Sequence, residues 1–159
     1  RVVVMDKAVI QQIGDPRTIY ARPVNAFVAN FIGVASLIDG KLLGRTGDVA
    51  EMEIDRGNGE PPLRIRAVGG GNAKTGDRVV LCIRPEDIKL TTSRPASVAG
   101  ENVIAGEVID TIYLGSFLEC RVRCGIHEIG IQIDHFEQLA PKQKVHLTFA
   151  PDHALCLDR

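Results

Sequence analysis

A chain of 159 residues has room for one ordinary domain or two very small ones. Its 25% charged and 45% hydrophobic residues are ordinary globular usage, and 19 Lys+Arg against 20 Asp+Glu give a formal net charge of −1, so no basic surface invites nucleic acid. Aromatics at 4%, without Trp, supply few stacking platforms for single strands, and no apolar run nears the roughly 20 residues that span a bilayer.

Residues 2–5 (VVVM) and 9–13 (VIQQI) read as a strand pair around a tight Asp6-Lys7-Ala8 connection. The run Val2, Val3, Val4 predicts a strand covered on both faces. Asp15-Pro16 starts a helix: the carboxylate accepts from an orphan N–H, and proline at the first helical position lacks a donor that would go unused. That helix, RTIYA, stops before Pro23. Asn25 caps a second helix, AFVANFI, in which Phe27, Val28, Phe31 and Ile32 fall on one face, and Gly33 ends it.

After Gly33 helical periodicity gives way to short alternating runs: LIDGKLL, VAEMEI, LRIRAV, RVVLCI, DIKL, VIAGEVI, FLECRV, EIGIQI, KVHLTF and ALCL. Evenly spaced strands punctuated by Gly, Asn, Asp and Pro predict an all-β barrel or sandwich, with a boundary near residues 33–35. Two blocks repeat at one offset. Ser36–Leu43 matches Asn102–Ile109, and Val79–Glu86 matches Val145–Asp152, both 66 positions apart. A shared offset marks a duplicated β unit, with halves of about 36–97 and 100–159.

No active site emerges. In Val68-Gly69-Gly70-Gly71-Asn72-Ala73-Lys74-Thr75, Val68 and Ala73 occupy places where a phosphate loop needs glycine, and a strand follows instead of a helix. Cys82, Cys120, Cys124 and Cys156 lie in apolar runs and read as reduced core residues. His127, His135, His146 and His153 show no metal-ligand spacing, and no serine or cysteine sits in a nucleophile pattern. Glu86 and Asp87 are the best carboxylate pair, but adjacent turn residues point apart, which predicts a solvated corner.

From Val3 to Gly33 the sequence follows V-V-M-x-x-x-x-I-x-Q-x-G-x-P-x-x-I-Y-x-x-P-x-N-x-F-V-A-x-F-I-G. This resembles the end of the ATPase domain in bacterial ABC importers of the maltose, polyamine and iron type. Cys82-Ile83-Arg84-Pro85-Glu86-Asp87-Ile88 is similar to the G-I-R-P-E-D-I motif of the TOBE domain that follows it in that family, with Cys in place of Gly. Asn102-x-Ile104-x-Gly106-x-Val108 with Tyr113-Leu114-Gly115 looks like that domain's second half, as in the polyamine, iron and phosphonate branches. Two departures stand out: Ala8 replaces the usual turn glycine, and Ser36 stands where Asn is common.

The resemblance implies a mainly β, OB-like TOBE barrel built from two similar β halves, preceded by a short β-hairpin and two short helices. Residues 1–33 would be the C-terminal tail of a nucleotide-binding domain and 34–159 a regulatory domain that is neither catalytic nor cofactor-binding. ATP and Mg would belong to the ATPase domain upstream of residue 1. Arg84, Pro85, Glu86, Asp87, Asn102, Gly106, Tyr113, Gly115, Phe27 and Phe31 are the motif and interface candidates. The implied partners are a second copy of the subunit and membrane permease subunits, with no nucleic acid; the implied location is the inner face of a bacterial membrane. The competing reading is a small-oxyanion, molybdate-like module of tandem TOBE type, favoured by the 66-residue repeat.

Overall fold

The computed structural model describes residues 1–57, 59–95 and 100–158. Strands β1 (Val2–Asp6) and β2 (Val9–Gly14) form an antiparallel hairpin, and its two-residue turn holds Lys7 and Ala8 at φ of 47° and 64°. Both turn residues are therefore left-handed, the conformation that glycine adopts without strain. The hairpin is covered on one face only. Within this chain Val4 is buried, whereas Val3 is 48% exposed.

Helices α1 (Pro16–Ala21) and α2 (Ala26–Ile32) start as expected: Asp15 accepts from the Thr18 N–H at 3.0 Å, and Asn25 from the Val28 N–H at 2.9 Å. Ile19 and Val28 pack with Val4 into a small apolar core, joined by Val2 and Ile32. Gln12 ties the hairpin to the interhelical linker, donating to the Arg22 carbonyl at 2.9 Å and accepting from the Val24 N–H at 3.0 Å.

All ten alternating runs after Gly33 form strands: β3 (Ser36–Thr46), β4 (Val49–Ile54), β5 (Leu63–Gly69), β6 (Arg78–Ile83), β7 (Lys89–Thr91), β8 (Asn102–Tyr113), β9 (Phe117–Cys124), β10 (His127–Asp134), β11 (Lys144–Phe149) and β12 (Ala154–Asp158). They make a mainly β, OB-like architecture in two units. A closed barrel runs β12-β5-β4-β3-β6, and a five-stranded sheet runs β10-β9-β8-β11-β7. Each unit takes its last strand from the other half. Strand β12 pairs with β6, and its repeat-mate β7 pairs with β11, in equivalent register: Leu155 faces Cys82 as Lys89 faces Thr148.

The duplication extends to irregularities. A β-bulge falls between Leu42 and Gly44 in one half and between Val108 and Asp110 in the other, again 66 positions apart. Where the halves differ is closure. Strand β12 also runs parallel to β5, through Leu155 opposite Val68 and Cys156 opposite Gly69, which seals the first barrel. Among the described residues β10 and β7 form no such ladder, so the second sheet stays open. The expected ends of the halves, at residues 97 and 159, lie outside the described residues.

One continuous core, from Ile38 through Leu81, Ile104, Val122 and Leu147 to Cys156, fills both units, so neither half encloses a separate interior. Along β9 the buried residues Leu118, Cys120, Val122 and Cys124 alternate with more exposed ones, the period-2 pattern of a strand with one face inward. Strand β6 is buried on both faces because α2 covers its outer side, where Val80 and Cys82 meet Ala29.

Candidate functional site

The R-P-E-D segment follows directly from the doubly covered β6. Arg84 remains extended, Pro85–Asp87 form a single 3-10 turn, and Ile88 is extended again. Pro85, with its fixed φ, ends the ladder and redirects the chain into β7, the structural corner that the sequence predicts. Glu86 is exposed and Asp87 half-buried, and the corner lies beside α1.

Arg84 organises it. The residue is only 6% exposed. Its Nη1 donates to the carbonyls of Ala29 (3.0 Å) and Val34 (2.9 Å), its Nη2 to that of Tyr20 (3.3 Å), and the guanidinium lies 4.2 Å from the centre of the Tyr20 ring. These carbonyls come from α1, from α2 and from the connection into β3. A planar, forked, permanently charged group suits three acceptors on different segments, and it stacks on an aromatic face as it does so. The Tyr20 hydroxyl closes the arrangement by donating to the Glu86 carboxylate.

Burial, followed by the bond to Glu86, pushes the Tyr20 phenol up from its ordinary value. Burial likewise pushes the Asp87 carboxyl up, against the opposing pull of His153. Burial raises Cys82 as well, with Arg84 opposing. All four thiols are free and buried, and burial pushes Cys120 up to about 11, Cys124 to about 12 and Cys156 to about 11, which makes them poor nucleophiles.

The repeat-mate of this corner is Ala150-Pro151-Asp152-His153, with the same 3-10 turn over Pro151–His153. The two corners touch: His153 Nδ1 lies 3.6 Å from an Asp87 oxygen, and these residues are themselves repeat-mates. Between the corners and α1 opens a cleft of about 400 Å³, lined by Arg17, Arg22, Arg84, Asp87, Asp152 and His153 among others. A second groove of about 320 Å³, with Val34, Pro85, Leu114, Phe117 and Ile131, flanks Tyr20 and Glu86 on another side. The cleft mixes both signs of charge and is suited to holding segments together. Among the described residues no cluster of His, Cys, Asp or Glu is placed to hold a metal.

The other candidates lie elsewhere. Asn102 is buried, and its amide forms a two-way bridge to β5: it donates to the Arg66 carbonyl and accepts from the Arg66 N–H, both at 2.8 Å. Its repeat-mate Ser36 makes one longer bond, accepting from the Gly130 N–H at 3.3 Å. Gly106 allows β8 to approach β9; a Cβ there would stand 2.5 Å from Val122 Cγ1 and 2.9 Å from the Arg123 carbonyl oxygen. Tyr113 is 65% exposed, and Gly115 forms part of the turn between β8 and β9.

Phe27 and Phe31 stack on each other, centroids 5.8 Å apart, on the outer side of α2. The predicted single face is thus divided, because Val28 is the residue that enters the core and Ile32 packs beside it. The corner residues come together; Asn102, Gly106, Tyr113 and Gly115 do not join them. Reading the sequence missed Tyr20 as the corner's partner, although it lies inside the I-Y-x-x-P pattern already noted.

Residues 81–157 match the TOBE domain family model. A spermidine/putrescine import ATP-binding protein of Rubrobacter xylanophilus is 36% identical over 118 residues, covering 73% of this chain and 28% of that protein. A namesake in Roseobacter denitrificans is 40% identical over 137 residues (82% and 36%). An Fe(3+) ions import ATP-binding protein of Agrobacterium fabrum is 32% identical over 135 residues (85% and 34%). The chain spans about a third of the length of these relatives. In structure it is similar to the cytoplasmic molybdate-binding protein ModG, with a TM-score of 0.63 at 15% identity over 77% of this chain and 95% of that one, a likeness of fold. Residues 81–157 therefore belong to the TOBE domain family, and the chain around them is similar to a part of import ATP-binding proteins.

Proposed function

We propose that this chain is the non-catalytic regulatory region of a solute-import ATP-binding subunit of the polyamine or iron branch, preceded in residues 1–33 by the tail of its nucleotide-binding domain. The observation that carries this reading is the similarity to spermidine/putrescine and Fe(3+) import ATP-binding proteins across residues on both sides of the corner, together with the TOBE match. In this reading ATP and Mg bind in the remainder of the protein. The subunit works as a homodimer against permease subunits on the inner face of the membrane. The exposed Val3, Met5, Ile10 and Ile13 of the hairpin, with Phe31 of α2, suit burial against that remainder. Among the described residues no helix is long and apolar enough to cross a membrane.

Titration of the chain with a fluorescent ATP analogue tests the division of labour. No displaceable binding at low micromolar concentration is expected, and saturable binding there would overturn it. A second reading, a small-oxyanion module, is favoured by the fold shared with a molybdate-binding protein. Calorimetric titration with molybdate, tungstate and sulfate separates the two: heat that saturates with molybdate supports the second reading, and heat of dilution alone supports the first.

A further inference from the structure

The change of texture at Gly33 invites the idea of a hinge there, and the bonds around Arg84 argue against one. The apolar contact across this boundary is small: Ala29, with Ala26 and Ala35, rests on Leu37, Val80, Cys82, Leu155 and Leu157. Alanines offer little interlocking relief, so this contact alone leaves the orientation of the helices on the barrel weakly specified. Arg84 supplies what the alanines lack. Its guanidinium is fixed at the end of β6 and bonds to carbonyls from three successive segments, before, within and after α2. Gln12 continues the same connection outward, joining β2 to the Arg22–Val24 linker, and Gln11 bonds to Asn25 at 3.0 Å.

The backbone is shaped to admit this fork. A Cβ on Gly33 would stand 3.0 Å from Tyr20 Cε2 and 3.4 Å from Arg84 Nη1, so a side chain there would crowd the fork, while its φ of 179° is ordinary extended backbone. The duplicated corner provides an internal control. It has the same proline turn, but Ala150 stands where Arg84 does, with a methyl group that can donate to no carbonyl.

We infer that Arg84 is a positioning residue that locks residues 1–34 to the barrel, so that the two turn as one lever and a displacement imposed on either is delivered to the other. The inference concerns this chain alone and stands whichever functional reading holds.

Spin labels on Lys7→Cys in the hairpin turn and Lys89→Cys on β7 report the orientation directly, since both positions are exposed and the four native thiols are buried. The parent chain should give one narrow distance distribution. Arg84→Met should at least double its width while far-UV circular dichroism is retained, and Arg84→Lys should also broaden it, because an ammonium can neither fork nor stack. Gly33→Val, which leaves Arg84 in place but crowds it, should broaden it too and serves if Arg84→Met does not fold. A distribution as narrow as the parent's in folded Arg84→Lys or Gly33→Val would overturn the inference.

Discussion

The two proline corners share a turn type, a strand register and an offset in sequence, and they touch through Asp87 and His153, but it is Arg84, in the first, that bonds to the helices. At Ala150 the corner merely passes the chain from β11 to β12. At Arg84 the same geometry carries a buried cation bonded to three carbonyls and stacked on a tyrosine. Duplication thus supplied the scaffold twice, and the corner that holds the helices by hydrogen bonds is the one with arginine in place of alanine, while β12 of the second half adds the apolar contact of Leu155 and Leu157 with Ala29. Closure follows the same asymmetry, since the barrel nearest the helices is sealed by β12 on β5 and the other sheet is open.

The largest test of this contrast is stability. Arg84→Met leaves buried acceptors without donors and should cost about 3 kcal/mol in urea unfolding. At the second corner Asp152→Ala, which removes an exposed side chain, should stay within about 0.5 kcal/mol. Equal costs would mean that the corners are equivalent. Next in size is the bridge between the sheets. Asn102→Ala strands the N–H and carbonyl of Arg66 and should cost about 2 kcal/mol, whereas Ser36→Ala gives up one long bond and should cost under about 1 kcal/mol.

Ala8→Gly relieves a left-handed alanine and should stabilise the hairpin by up to about 1 kcal/mol. If the lock joins hairpin to barrel, that gain appears in the single unfolding transition of the parent and vanishes from the barrel transition of Arg84→Met. The smallest effect is one of pH. Burial raises the Asp87 carboxyl above its ordinary 3.8, so the native state holds that proton more tightly than the unfolded chain does. Its contribution to stability is full below about 3.8 and is lost as pH rises through the native value. Asp87→Asn should therefore gain on the parent as pH rises from 3 to 7; a gap that shrinks would show that His153 outweighs burial.

Much of the fold was legible because strands with one buried face write their period into the sequence, and because a 66-residue offset survives in alternating β runs. The exchange of β7 and β12 was not legible, since the same pattern would serve two halves each closing on its own last strand. Nor could the face of α2 be assigned: Phe27 and Phe31 and the pair Val28 and Ile32 are adjacent helical stripes, and only the position of the hairpin decides which goes inside. Arg84 was visible as a motif residue, but its burial depends on carbonyls 64, 55 and 50 positions away, which no local pattern encodes.

The most direct test of the lock is amide hydrogen exchange in the parent chain and in Arg84→Lys under native conditions. The predicted result is faster exchange confined to residues 16–34, with the amides of β3 to β6 and of β12 unchanged. Exchange rates in 16–34 equal to the parent's, or an acceleration spread evenly over the barrel, would contradict it.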